Sequence, residues 1–347
     1  MKYLLEIHHG IGDVVQFTGL LESIRKYDNN AYIAVIVNKD AYKTLFLNDN
    51  RIQKFYKIDL VDMSKVELIK TVIAMRNEHF DYLFISPISN KRAVSVLALL
   101  ISAKHSYGEQ LKKLSQVSSR YIAVQKKKVH IVKRNDNVLL SAKIPFECCR
   151  PKLYCNSELP VDIPEKSIAI CIGTSIPQKT WFIERYMKVA EYFSRKGYQI
   201  VLLGGVKEER DYKQSGFMNS NWIDLMGKVD LAGTATACKK CKLVIGGDTG
   251  VMHIAAAMGV TTLTIFSCTD PKFHCPYSEN SYFYCVKLNC QYCYGQEEMH
   301  NCKEYKCINN IQTKDIISLA EKILKQDNLE NIQNYYFEIE KELDFII

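Results

Sequence analysis

Four side chains in this 347-residue chain stand where α/β proteins handle phosphates and protons: Asp13, Lys179, Glu208 and Asp248. Asp248 closes an apolar run, 243–245, that Gly246 and Gly247 are expected to break; with Thr249 and Gly250 it opens a helix of small residues that reaches Gly259. Such a helix start presents free N–H groups and the positive end of a dipole, which is where a phosphate sits. Lys179 belongs to the short-side-chain loop 173–180, GTSIPQKT. There the hydroxyls of Thr174 and Ser175 can donate to diphosphate oxygens and the ammonium can supply counter-charge. A solvated lysine is the blander reading of the same loop. Glu208 follows Gly204-Gly205 at the start of another helix, where it can accept from a ribose diol or simply answer the helix dipole.

Asp13 ends the turn His8-His9-Gly10-Ile11-Gly12 behind the first apolar run, at a strand's carboxyl end where open α/β sheets bind ligands, or caps the next helix. His8 and His9 are loop residues able to contact phosphate or exchange protons. A different chemistry is carried by CQYCYGQEEMHNCKEYKC, in which Cys290, Cys293, Cys302 and Cys307 place four thiols within 18 residues. That spacing suits a small tetrathiolate knuckle for zinc or iron, with free reduced thiols as the alternative; such a site has no open position and shapes a loop rather than a reaction. Cys238 and Cys241 form another CxxC, on a helix, and read as buried thiols.

The elements that must position these groups alternate. Strands are expected at 3–7, 32–37, 52–58 and 82–86, with helices at 14–27, 39–47, 66–76 and 92–103. A basic, weakly patterned stretch follows at 112–128, either a solvated face or a loop toward a charged acceptor or an acidic membrane surface. After a helix at 130–142, Pro145, Pro151, Pro160 and Pro164 punctuate a linker. The second half repeats the grammar with strands at 167–172, 198–203 and 262–266, and helices at 183–196, from 206, and within 225–240. Strand–helix alternation of this kind makes parallel, doubly wound α/β sheets. The expected domains are 1–158 and 159–327, the latter with a Cys-rich insertion at 285–307 and an amphipathic helix at 313–325, followed by a helical tail at 328–347.

The length fits two domains of roughly 150 residues each, and 47% hydrophobic content supports full-sized cores. The formal charge of +8, from 46 Lys and Arg against 38 Asp and Glu, would help hold a polyphosphate donor, an anionic acceptor or a membrane surface; spread over the chain it is modest, and a merely soluble surface is the blander reading. The N-terminal MKYLLEIHHGIGD, with its short apolar run and its His and Gly residues, is not expected to act as a secretion signal, and no stretch approaches the roughly 20 apolar residues of a spanning helix. Thirteen cysteines without an export signal point to reduced thiols in the cytoplasm. Basic residues without interleaved aromatics speak against a nucleic-acid partner.

Taken in order, His9-Gly10-Ile11-Gly12-Asp13, Lys179-Thr180-Trp181, Gly204-Gly205 and Asp248-Thr249-Gly250-Val251-Met252-His253 make the chain resemble glycosyltransferase family 9, the heptosyltransferases of lipopolysaccharide core assembly. The resemblance implies a GT-B fold, two Rossmann-like domains facing across a cleft, with the sugar nucleotide held mainly by the second. It implies inverting transfer of heptose or a related sugar from an ADP-sugar to a lipopolysaccharide core or other glycan acceptor. The implied setting is the cytoplasmic face of the inner membrane, with peripheral membrane contact and no cofactor or metal in catalysis. Carried onto this chain, Asp13 takes the place of the general base, Thr174, Ser175 and Lys179 that of the diphosphate loop, and Glu208 that of the ribose contact. Asp248 becomes the carboxylate near the donor sugar, Thr249 and Gly250 supply backbone donors, and His253 has a direct or a packing role. Relatives that modify autotransporters look like iron-binding Cys₄ proteins, which makes a protein acceptor the alternative and a structural Zn or Fe the expected occupant of the cysteine cluster. A catalytically silent sugar-nucleotide-binding subunit, with Asp13 only a cap, is the third reading. After Phe266 this chain has Ser267-Cys268-Thr269-Asp270-Pro271 where the family usually carries Gly-Pro before the Thr, so the backbone of that loop is expected to differ.

Overall fold

Near-continuous apolar runs make strands that are covered on both faces, the condition of a parallel sheet flanked by helices. The computed structural model describes residues 1–7, 10–59, 62–89, 91–145 and 150–325, so His8, His9 and the tail at 328–347 lie outside the described residues. The chain divides into two compact units, Met1–Cys155 and Asn156–Ile347.

The first unit runs β1 (Lys2–Glu6), α1 (Ile11–Phe17), α2 (Gly19–Tyr27), β2 (Tyr32–Val37), β3 (Lys54–Lys57), α3 (Lys65–Asn77) and β4 (Tyr82–Ile85). It continues with α4 (Lys91–Ile101), β5 (His105–Gly108), α5 (Lys112–Ser115), β6 (Tyr121–Ala123) and α6 (Ile131–Ser141). The six strands lie in the order β3-β2-β1-β4-β5-β6, every pair parallel. The winding therefore reverses between β1 and β4, and α1 starts at the carboxyl end of β1, the place where open α/β sheets bind ligands.

Several expectations need correction here. The helix expected at 14–27 is two helices, because Thr18 interrupts it: its Oγ1 donates to the Val15 carbonyl at 2.6 Å and accepts from the Lys152 N–H at 3.1 Å. Gly10 takes the N-cap of α1, which places Asp13 inside the first turn instead of at the cap. Residues 40–46 form a 3₁₀ helix. The basic stretch 112–128 contains α5 and β6, elements of four and three residues that are too short to show a period.

The second unit runs β7 (Ser167–Cys171), α7 (Ile183–Arg195), β8 (Gln199–Leu203), α8 (Val206–Gln214), β9 (Ile223–Asp224), α9 (Leu231–Lys239) and β10 (Leu243–Gly247). Then follow α10 (Gly250–Ala257), β11 (Thr262–Ile265), α11 (Pro271–His274), β12 (Ser281–Tyr284), α12 (Glu297–Asn301), α13 (Lys306–Asn309) and α14 (Thr313–Lys325). The strand order is β12-β11-β10-β7-β8-β9, so the winding reverses between β7 and β10. Gly246 and Gly247 do not break the strand: they are its last residues, paired with Thr264 and Ile265 of β11. A Cβ at Gly246 would meet Cys171 Cβ at 2.8 Å, and one at Gly247 would meet Thr174 Cγ2 at 2.7 Å, so crowding by β7 and its following loop, not chain reversal, calls for glycine there.

Helix α6 packs on α1 and α2 and so backs the helix that carries Asp13. Its Asp136 is buried, with neither carboxylate oxygen hydrogen-bonded. Burial pushes that carboxyl well above its usual range, against a smaller pull from Lys133. The folded state keeps a proton that the unfolded chain releases near pH 4, so this residue costs stability as the pH rises through that window. Asp136→Asn is expected to raise the thermal midpoint at neutral pH by the equivalent of roughly 1 kcal/mol, and to leave it unchanged near pH 3; melting curves at the two pH values check this.

Candidate functional site

In the second unit the segments that leave β7 and β10 at the winding reversal carry most of the residues singled out above. The segment after β7 closes in a short 3₁₀ turn, Pro177–Lys179. Trp181 anchors its exit: the fully buried indole donates Nε1–H to the Ile311 carbonyl at 3.2 Å and stands edge-on to Tyr186, with ring centroids 4.8 Å apart. The segment after β10 reaches the N-cap of α10 at Thr249, whose side chain makes no capping bond. Asp248 instead accepts from Lys179 Nζ at 2.6 Å and from Thr269 Oγ1 at 2.8 Å, both on Oδ2. Burial alone would raise the Asp248 carboxyl; the Lys179 ammonium, then His253 and the Thr269 hydroxyl, reverse that and hold it below the usual carboxylate range.

His253, one turn into α10, is buried with its Nδ1 unpaired. Burial, only partly opposed by Asp248, lowers its pKa to about 4, so the imidazole is neutral at physiological pH. The loop 267–271 is tied down residue by residue. Ser267 Oγ donates to the Gln178 carbonyl at 2.8 Å, Thr269 reaches Asp248, and Asp270 caps α11 ahead of Pro271. The Cys268 carbonyl accepts from the Tyr294 N–H at 3.1 Å, and the Tyr294 ring lies over Lys179 Nζ at 4.5 Å from its centroid. The cysteine-rich segment thus supplies an aromatic wall to the Lys179–Asp248 pair. Thr269 and Tyr294 were not among the expected site residues; the Asp270-Pro271 helix start was a readable signal beside Thr269, whereas nothing local marks Tyr294.

Thr174, Ser175 and Glu208 line a cavity of about 440 Å³ together with Pro177, Thr180 and Lys207. The Thr174 and Thr180 hydroxyls bond each other at 2.7 Å, and Glu208 Oε2 accepts from the Gly205 N–H at 2.9 Å, closing the first turn of α8. A Cβ at Gly173 would overlap the Glu208 side chain, so this glycine is what lets the carboxylate lie along the cavity. Thr174 also packs on Gly247, which joins the cavity to the Asp248 strand. One unit therefore gathers Thr174, Ser175, Lys179, Glu208, Asp248, Thr249, Gly250 and His253 beyond the carboxyl ends of the interior strands β7, β8 and β10. In the other unit Asp13 is partly exposed in the first turn of α1, near Tyr42, whose hydroxyl is pushed up first by burial and then by the Asp13 charge.

The cysteine cluster differs from the expected knuckle. Cys290 and Cys293 lie in the loop before α12, Cys302 at its C-terminal end and Cys307 in α13. Their thiols are electrostatic neighbours: Cys307 is pushed up to about 11 by burial and then by Cys268, Cys293 and Cys302. Yet among the described residues no group of three or more His, Cys, Asp or Glu side chains is placed to hold a metal ion. The donor chemistry suits a thiolate metal; the placement does not close around one.

The family model of Glycosyltransferase family 9 (heptosyltransferase) matches residues 68–304. Lipooligosaccharide heptosyltransferase 2 of Campylobacter jejuni is 22% identical over 343 residues, 95% of this chain and 100% of that protein. Lipooligosaccharide heptosyltransferase 2 of Haemophilus influenzae is 29% identical over 120 residues, a match that spans 33% of this chain and 35% of that relative. The solved structure of E. coli ADP-heptose lps heptosyltransferase II is similar with a TM-score of 0.75 at 18% identity, over 94% of this chain and 99% of that one. A likeness of that extent, with two parallel six-stranded sheets, gives the GT-B fold.

Lys179→Met leaves Asp248 buried beside no cation and is expected to cost about 3–5 kcal/mol in urea unfolding, most of it recovered by adding Asp248→Asn. Acid acts on the same cluster. As the pH falls from 6.5 toward about 4, the unfolded chain takes up a proton that folded His253 refuses, so stability declines across that window. His253→Gln should flatten that limb of the stability–pH curve.

Proposed function

We propose, from the premise that the chain belongs to glycosyltransferase family 9, that it transfers heptose with inversion from an ADP-sugar to a lipopolysaccharide core-type acceptor. The observation that carries this reading is the Lys179–Asp248–Thr269 cluster beside the first turn of α10, at the winding reversal of the second unit. The donor diphosphate takes the cavity of Thr174 and Ser175 with Lys179 as counter-charge, and the Thr249 and Gly250 N–H groups face its oxygens. Glu208 accepts from the ribose diol, Asp248 Oδ1 from hydroxyls of the donor sugar, and neutral His253 packs behind Asp248.

In the reaction the acceptor hydroxyl oxygen attacks the anomeric carbon while Asp13 takes its proton. The bond from that carbon to the diphosphate breaks, and ADP leaves with the electron pair. Charge growing on the leaving oxygen is stabilised by the Lys179 ammonium and the dipole of α10, which fill the part a divalent ion plays elsewhere. The names of the relatives, heptosyltransferases of lipooligosaccharide, and the ADP-heptose in the name of the solved neighbour support this choice of donor and acceptor. A zinc or iron ion at Cys290, Cys293, Cys302 and Cys307 is a structural proposal that rests on donor chemistry alone: the four side chains would have to close in from their described placement to hold it, and no step of transfer runs through it.

Purified protein given ADP-heptose and a core acceptor is expected to form the inverted glycoside at a rate insensitive to EDTA. Asp13→Asn should lower kcat roughly 10²- to 10⁴-fold while ADP affinity by calorimetry stays within twofold of wild type. Absence of transfer by the wild type, or an unchanged rate in the variant, overturns the reading. Elemental analysis is expected to find about one zinc or iron per chain, lost in the Cys290→Ser, Cys293→Ser double variant; metal-free wild-type protein removes the structural ion from the proposal.

A further inference from the structure

Helices α3 and α4 pack side by side over one face of the first sheet and bury Val72, Met75, Val94 and Ala98 in its core. A surface helix ordinarily turns polar residues outward. These two do not. On α3 the residues Val66, Ile69 and Ile73, and on α4 Val96, Leu99 and Leu100, follow helical spacing on the outer side and are 45% to 61% exposed. Between the helices runs an apolar groove of about 310 Å³, lined by Leu68, Val72, Val96, Leu97 and Leu100, with Arg92 at its rim. Val117, just beyond α5, is 83% exposed. Six large aliphatic side chains in two adjoining stripes form a patch of the kind that marks an interaction surface.

Charge identifies what covers it. Residues 64–128, which build α3 through β6, hold twelve Lys and Arg against four Asp and Glu, an excess equal to the +8 of the whole chain. Each of the four acids is engaged locally. Glu67 caps α3 through Ser64, Glu78 pairs with Lys2 and Lys54, Asp81 accepts from the Lys2 N–H, and Glu109 pairs with Arg134. Lys65, Lys70, Arg76, Arg92, Lys112 and Lys113 are exposed on these helices. A second copy of the chain laid on this patch would oppose like charge to like charge. An anionic lipid surface matches both the aliphatic stripes and the cations. We infer that the α3–α4 face docks on an anionic lipid bilayer, with Ile69, Ile73, Val96 and Leu100 entering the acyl region and the flanking lysines and arginines meeting lipid phosphates. No helix among the described residues is long and apolar enough to cross a membrane, and docking of this kind needs none.

Vesicle binding is read without donor or acceptor, so it stands or falls apart from the catalytic reading. The intact chain is expected to sediment with phosphatidylcholine vesicles that contain phosphatidylglycerol, not with phosphatidylcholine alone, and to be released by high salt. Ile69→Glu with Ile73→Glu, and separately Val96→Glu with Leu100→Glu, should lower partitioning by roughly tenfold or more. Because these positions are exposed, the thermal midpoint should hold, and Lys112→Glu with Lys113→Glu on α5 gives a second test that leaves the stripes intact. Failure of wild-type protein to bind the anionic vesicles overturns the inference, as does binding by every variant at the wild-type level. A wild-type dimer that Ile69→Glu with Ile73→Glu dissociates, with vesicle binding unchanged, overturns it in favour of a second copy.

Discussion

An ammonium and a carboxylate 2.6 Å apart, both largely withdrawn from water, are the constraint on which the second unit depends. Removing either charge from water alone costs several kcal/mol, and the pair is tolerable only while both members and their remaining hydrogen bonds are in place. Much of the surrounding structure meets that condition. Trp181 holds the Lys179 turn against the core, Ser267 ties the following loop to the same turn, and Thr269 gives Asp248 its second donor. The Tyr294 ring lies over the ammonium, which is largely withdrawn from water, where a cation–π contact is worth more than in open water.

Both units place their chemistry by the same device. A doubly wound sheet leaves a crevice where the winding reverses, and the loops at that point are free to vary because the strands beneath them carry the fold. In the first unit the segment after β1 carries Asp13, partly exposed in a helical first turn. In the second, the segments after β7 and β10 carry a buried charge pair and a helix N-terminus. The same backbone grammar thus carries a partly exposed carboxylate in one unit and a buried, compensated cation in the other.

Much of this was legible from residue order because it is local. An apolar run followed by glycines and a polar residue places that residue at a strand's carboxyl end, which located Asp13, Lys179 and Asp248 before any contact was known. What the residues do with each other was not legible. Lys179 and Asp248 are 69 positions apart, and a local reading of Asp248 favours a helix start over an ion pair. Tyr294 reaches Lys179 only through the packing of the cysteine segment on Cys268, a tertiary contact with no sequence period. The edge strands β9 and β6, two and three residues long, fall below the length at which alternation can be counted. The glycines at the end of β10 misled for a physical reason: they answer crowding from β7, while glycine read in isolation signals a turn.

Those glycines also set where this chain tolerates substitution. At Gly173, Gly204, Gly246 and Gly247 even a methyl group would press into Glu208, Cys171 or Thr174, so any side chain there displaces a wall of the cavity or the end of β7 beside it. The floor of the site is in effect closed to drift. Its lining at 267–271 and around Tyr294 rests on side-chain and single backbone hydrogen bonds, which exchange partners at far smaller cost. Change that re-shapes the pocket at small cost is therefore confined to the rim, to the loop at 267–271 and the cysteine-rich segment, while the strands and their glycines stay as they are.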